Sequence, residues 1–273
     1  MTHSRPALAA LLEESGLAPR RDLGQNFVVD PNTVRRIAGL AAVGGGDHVV
    51  EVGAGLGSLT LALAETGAQV IAVEVDRGIA PVLRRLTAEV GSIEVVEGDA
   101  MNLDWESVLS EADSWTLVAN LPYNIATPLI VDLLEQVQPI SKMLVMVQLE
   151  AAERFAAGPG SGQYGAVSVR IAHRARARIV GHVPPTVFLP RPKVDSALVA
   201  IERHAEVRAV DEGVLDELLR AGFGQRRKML RRSLASVASE QVLSDAGIDP
   251  TARPETLGLE QWYALTDAVV ASR

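Results

Sequence analysis

The sequence predicts an α/β fold, a mainly parallel sheet wound with helices, followed by a small all-helical C-terminal domain. Three observations predict it. Between residues 48 and 148, short apolar runs alternate with helical patterns long enough to cross over a sheet. Gly53, Glu74, Asp99 and Asn120 each stand at the end of an expected strand, which is where ligands bind in such sheets. Beyond about residue 204 only helical patterns remain, so residues 1–203 are expected to form one domain and 204–273 a second.

Taken in order, residues 6–16 read as a short amphipathic helix ending at Gly16. A loop of basic, amide and aromatic groups follows, Arg20-Arg21-Asp22-Leu23-Gly24-Gln25-Asn26-Phe27-Val28-Val29-Asp30. Asp30 before Pro31 pairs an N-cap with proline at the first helical position and predicts a helix over 31–41. Strands are expected over 48–52, 69–74, 92–96, 115–119 and 142–148, with helices over about 58–66, 77–90 and 126–137 between them. Strand–helix alternation implies right-handed crossovers and parallel pairing. A helix to about 157 leads to the glycine-rich stretch 158–165, a mobile loop by composition, and then to a helix over 165–173. In the expected strand 175–183, Arg174, Arg176 and Arg178 alternate with smaller residues, which puts them on one face of an edge strand. Prolines 184, 185, 190 and 192 fix an extended loop holding Phe188, before a last strand over 196–202. The C-terminal helices are expected over 211–222, 227–237, 239–246 and 259–271.

Composition narrows the function. At 273 residues and 48% hydrophobic, the chain can bury a full core. It has no cysteine, which removes disulfides, thiolate metal sites and every mechanism needing a cysteine nucleophile. The net charge of −8 excludes a global basic field, so any nucleic-acid contact must be a local patch. Glu13 and Glu14 interrupt the N-terminal apolar stretch and no run reaches transmembrane length, so a soluble cytoplasmic protein is expected.

The glycine run Gly53-Ala54-Gly55-Leu56-Gly57-Ser58 departs from the dinucleotide fingerprint, because its third glycine comes two residues after the second. Glu74 lies 21 residues beyond Gly53, where a carboxylate can take both hydroxyls of a ribose. Nicotinamide and adenosyl cofactors both carry such a ribose. Asp99, at the third strand's end, can accept from an adenine amine and favours the adenosyl cofactor.

The tetrapeptide Asn120-Leu121-Pro122-Tyr123 ends the fourth strand. Asn120 offers a side-chain carbonyl, the Leu121–Pro122 step holds a backbone carbonyl out of regular pairing, and Tyr123 offers a ring face. These groups suit a planar base with an exocyclic amine: the carbonyls accept its two N–H bonds while the ring stacks on the base. Phe188, held on its proline loop, is expected to form the second wall opposite Tyr123. Between residues 223 and 232 stand five cations, Arg226, Arg227, Lys228, Arg231 and Arg232. On a helix, Arg227 with Arg231 and Lys228 with Arg232 would be like-charged neighbours, which an anion such as a phosphate backbone would relieve.

The chain resembles the bacterial small-subunit (16S) ribosomal RNA adenine N6-dimethyltransferases, the KsgA/RsmA family. The resemblance rests on GQNFVVD (24–30), VVEVGAGLGSLT (49–60), AVEVD (72–76), EGDA (97–100), NLPYNI (120–125), FLPRPKVDS (188–196) and GFGQRRKMLRRSL (222–234), all in family order. It implies a Rossmann-like class I methyltransferase sheet of seven strands with a small helical C-terminal domain that contacts rRNA. The implied activity uses S-adenosylmethionine and no metal. It places two methyls on N6 of each of two adjacent adenosines, in the 3′-terminal hairpin loop of the rRNA. The implied partner is rRNA in an assembling 30S particle, met by a monomer away from membranes. Carried over by position, Asn26, Val28, Gly53, Gly55, Glu74, Asp99 and Asn120 line the cofactor site. Asn120, Leu121, Pro122, Tyr123 and Phe188 hold the base, and the five cations meet RNA. Leu149 and Gly162-Gln163 depart from the family's usual lysine positions, which bears on which cations grip the RNA. Two other readings compete. A DNA adenine-N6 methyltransferase usually has proline where Leu121 stands, and a non-catalytic assembly factor would not need Glu74, Asp99, Asn120 and Tyr123 intact.

Overall fold

The computed structural model describes residues 3–20 and 22–273. Arg21 of the basic loop lies outside them. The strands are β1 (Phe27–Val28), β2 (His48–Val52), β3 (Gln69–Glu74), β4 (Ile93–Glu97), β5 (Trp115–Asn120), β6 (Ile140–Gln148), β7 (Ala175–Val183), β8 (Phe188–Leu189) and β9 (Ser196–Arg203). Seven of them form one sheet in the order β4-β3-β2-β5-β6-β9-β7. β4 through β6 pair in parallel, and β9 runs antiparallel to β6. The central strands are buried on both faces, which explains why they read as unbroken apolar runs such as Val49-Val50 and Leu117-Val118-Ala119. The strand order reverses between β2 and β5, the switch point where a crevice opens beyond the strand ends.

β1 and β8 form a separate antiparallel pair, with Phe27 opposite Leu189 and Val28 opposite Phe188. Two-residue strands leave no periodicity in the sequence, and this pair was not anticipated. The helix Pro31–Ala41 starts as expected, with the Asp30 carboxylate accepting from Thr33 N at 2.9 Å.

The chain divides into two compact units, residues 1–152 with 177–203, and residues 153–176 with 204–273. A single cut at 204 therefore misplaces 153–176, whose Tyr164 and Val169 belong to the helical unit's core with Leu218, Leu230 and Trp262. The stretch 158–165 is tied down within that unit rather than free. Gly160 N donates to Glu255 O at 2.7 Å, Tyr164 Oη to Leu257 O at 2.9 Å, and Arg226 Nη2 to Ser161 O at 3.2 Å. Arg174 ends the helix Ala166–Arg174, is buried and pairs with Glu212 at 2.6 Å. Of the three arginines, Arg176 and Arg178 are the ones that stand exposed on β7, the terminal strand of the sheet.

The expected helix over 227–237 does not form. After the helix Glu212–Gly224 the chain turns, and only Leu230–Ser233 is helical. Leu230 N and Arg231 N donate to Ala252 O and Pro250 O, at 2.8 and 3.0 Å, instead of reaching back four residues. Arg227 and Arg231, like Lys228 and Arg232, consequently share no helix face, and the like-charge crowding does not arise.

Candidate active site

The glycine turn after β2 takes a path few side chains tolerate: Gly53 and Gly55 have φ of +76° and +56°. Gly53 N and Ala54 N both donate to Val73 O, at 2.9 and 3.2 Å, which ties the turn to the end of β3. The Glu74 carboxylate completes the tie, accepting from Gly55 N at 2.7 Å and from Asp76 N at 2.9 Å. Glu74 is only 4% exposed, and burial pushes its pKa up against the pull of these two donors. Each of its oxygens keeps lone-pair capacity for a further donor.

The N-terminal arm closes one side. Gln25 Nε2 donates to Asp76 Oδ2 at 2.9 Å, while Arg5 Nη2 donates to the Thr186 and Phe188 carbonyls at 2.9 and 3.1 Å. At the end of β5, Asn120 Nδ2 donates to Asn26 O at 2.8 Å. This bond fixes the amide so that Oδ1, which has no donor among the described residues, is the atom left to accept. Leu121 N donates to Met146 O at 3.1 Å, and Pro122 ends the strand because it has no N–H to pair. The Pro122 carbonyl then accepts from Ile125 N and Ala126 N, at 3.2 and 3.1 Å, and opens the helix Ala126–Gln136. Tyr123 is half-buried and its hydroxyl shares a 2.9 Å hydrogen bond with Ser196 Oγ. Burial pushes the phenol pKa up, and the Ser196 bond offsets part of that rise.

One cavity brings together Asn26, Val28, Gly53, Gly55, Glu74, Asn120, Leu121, Pro122 and Tyr123. Two expected members stand apart from it. Asp99 is exposed, and its carboxylate closes its own turn by accepting from Met101 N at 3.0 Å and Asn102 Nδ2 at 2.8 Å. Phe188 is 0% exposed and packs in the core with Val28, Val34, Met146 and Leu198. Pairing of β8 with β1 turns the Phe188 ring inward, so it is not an open wall opposite Tyr123. Of the five cations, Arg226 pairs with Glu255 at 2.9 Å and braces its own unit. Arg227, Lys228, Arg231 and Arg232 are exposed.

Sequence reasoning missed Glu51. It lies inside β2, is 2% exposed, borders the cavity and accepts from Thr60 Oγ1 at 2.6 Å. Burial, reinforced by the neighbouring Glu74 charge, pushes its pKa up to about 8. The signal was present as an acid within the apolar run Val49-Val50-Glu51-Val52. Among the described residues no group of three or more His, Asp or Glu converges as a metal site.

A parallel sheet of this order, with a glycine turn, an acidic strand end and an Asn-Leu-Pro-Tyr mouth, defines a class I S-adenosylmethionine-dependent methyltransferase. Residues 16–270 match the family described as "Ribosomal RNA adenine dimethylase". The chain is 44% identical over 273 residues to "Ribosomal RNA small subunit methyltransferase A" of Bifidobacterium adolescentis, covering 94% of this chain and 90% of that one. The protein of the same name from Cutibacterium acnes is 44% identical over 279 residues, covering 96% and 93%. Among solved structures, a dimethyladenosine transferase from Plasmodium falciparum shares the fold, with TM-score 0.76, 24% identity and coverage of 86% and 94%. The 23S rRNA methyltransferase ErmE gives TM-score 0.69, 27% identity and coverage of 89% and 99%. The chain belongs to the ribosomal RNA adenine dimethylase family.

Proposed function

We propose that this protein transfers methyl groups from S-adenosylmethionine to N6 of two adjacent adenosines in the 3′-terminal hairpin loop of small-subunit rRNA. It acts as a cytoplasmic monomer on an assembling 30S particle. The observation that carries the reading is the Asn120 amide, locked by Asn26 O with its own oxygen left to accept, between the glycine turn and Tyr123.

The donor set fits the cofactor. Glu74 keeps acceptor capacity for ribose hydroxyls. Glu51 is a buried acid with no cationic partner among the described residues, suited to an ammonium group, and the half-exposed Val75 offers an apolar surface for adenine. When bound, S-adenosylmethionine supplies a methyl group already activated by its sulfonium. Asn120 Oδ1 and the Leu121 carbonyl accept the two amine hydrogens and so aim the nitrogen lone pair along the transfer direction. Tyr123 provides the face on which the extruded base stacks. No strong general base is required, because the methylated ammonium is acidic enough to release its proton to water. Asp99 stays a proposed cofactor contact: its carboxylate would have to accept from adenine at the exposed rim while also closing its turn.

The helical unit supplies the proposed RNA grip through Arg227, Lys228, Arg231 and Arg232. Replacing Arg227 and Arg231 with glutamate is expected to weaken rRNA binding and lower the slope of log affinity against log salt by roughly one to two, with S-adenosylmethionine affinity unchanged. Filter binding over a salt series checks this; an unaltered slope places the RNA contact elsewhere. Labelled methyl transfer to small-subunit rRNA but not to duplex DNA is expected, and preferential labelling of DNA would favour the DNA-methyltransferase reading.

A further inference from the structure

We propose that Ser196 is a positioning residue for methyl transfer, which sets the orientation of the Tyr123 ring through the hydrogen bond between their hydroxyls. The inference rests on the proposed function and adds a residue to its machinery. Phe188 is enclosed in the core, so the angle of the Tyr123 ring is set by the contacts that Tyr123 itself makes. A tyrosine side chain turns about two torsions, and its far end is free unless the hydroxyl is held. Here it is held, at 2.9 Å, by a serine that is 0% exposed.

The fold fixes where that serine stands. Asn120 lies opposite Met146, and Met146 lies opposite Leu198, so one row across β5, β6 and β9 joins the catalytic amide to β9. Ser196 is two residues along from Leu198, opposite Gln148, and Asp195 O accepts from Leu149 N at 3.0 Å just before it. The sheet therefore holds Ser196 at a set offset from Asn120, about two strand spacings (roughly 10 Å) across the ladder and two residues (roughly 7 Å) along it. Tyr123 is anchored at both ends, by the backbone after Pro122 and by Ser196. Asn120, which aims the amine, and Tyr123, which sets the plane of the base, are thus referred to one rigid frame. The link also explains why two motifs far apart in sequence, NLPY and PKVDS, serve one site.

The test is a double-mutant cycle on the full chain with small-subunit rRNA. Ser196→Ala and Tyr123→Phe are each expected to lower kcat about tenfold, with KM for S-adenosylmethionine unchanged. The double variant is expected to be no worse than either single one, and Ser196→Thr to recover most of the rate. Additive losses, or a Ser196→Ala enzyme as fast as the parent, would overturn the proposal. A second readout needs no substrate. The chain has three tyrosines, so labelled ring-carbon NMR resolves Tyr123 once Tyr123→Phe assigns its signal. Loss of the Ser196 bond is expected to move the phenol titration of Tyr123 to higher pH, and an unmoved titration also counts against the link. If the parent enzyme methylated no rRNA, the functional reading would fall while the titration still decided whether Ser196 governs Tyr123.

Discussion

Asn120→Ala is expected to lower the rate of methyl transfer by about 10²-fold or more while leaving the protein folded and able to bind S-adenosylmethionine. The loss has two parts. Removing Oδ1 deletes one of the two acceptors that orient the target amine. Removing Nδ2 releases the Asn26 carbonyl, so the arm that closes the cavity loses its bond to the end of β5. Asn120→Asp separates the parts, because it keeps an acceptor but puts a carboxylate oxygen against the Asn26 carbonyl, and it is expected to loosen the arm as well as slow transfer. The side chain is only partly buried and stands in the last paired row of β5, opposite Met146, so the urea midpoint of Asn120→Ala should stay near that of the parent. Single-turnover methyl transfer, with calorimetric titration of the cofactor, checks both halves. Parent-like turnover in Asn120→Ala would remove this residue from the mechanism.

The second large effect concerns Glu51 and pH. Its carboxyl has a folded-state pKa near 8, against 4.5 for an ordinary glutamate, because burial disfavours its charge. A folded pKa above the unfolded one means that the native state binds the extra proton between those values. Stability contributed by neutral Glu51 is full below about pH 4.5 and falls as pH rises towards about 8. Across the interval from pH 5.5 to 7.5 the fall amounts to about 2–3 kcal/mol, since each pH unit in that window corresponds to about 1.4 kcal/mol. Glu51→Gln keeps the shape and an acceptor for Thr60 Oγ1 but cannot ionise. Compared with the parent, this variant should gain stability steadily over the same interval, read as urea midpoints at the two pH values. Glu74 is raised in the same direction, so part of the parent's slope persists in Glu51→Gln. A parent and variant with parallel pH profiles would show that Glu51 is ionised, or hydrated, in the folded protein.

How much of this was legible in the sequence depends on how local each signal is. The parallel strands announced themselves through short β-branched runs, and their ends bring Gly53, Glu74 and Asn120 to one cavity, as expected of the strand ends of a doubly wound sheet. The Asn120 acceptor was readable from residue type, but its lock was not, since the partner is a backbone carbonyl 94 positions earlier. Phe188 failed for a similar reason. Its proline loop was correctly read as extended, yet the direction of the ring is set by a two-residue ladder with Val28, too short to leave a pattern. The helix expected over 227–237 was lost to nonlocal donors, because the backbone of Leu230 and Arg231 bonds to the chain near residues 250–252. The local turn at Asp99 was readable too. Asp-Ala-Met-Asn is a local Asx-turn sequence, and it explains an exposed aspartate at a strand end without any ligand.

The most direct measurement is nucleoside mass spectrometry on small ribosomal subunits from cells lacking the modification, after incubation with the purified protein and S-adenosylmethionine. N6,N6-dimethyladenosine is expected from the parent protein, placed in the 3′-terminal hairpin loop by fragment mapping, and none is expected from Asn120→Ala. Cofactor binding without dimethyladenosine on any assembly state of the subunit would contradict the account and make the chain an RNA-binding assembly factor on a methyltransferase scaffold.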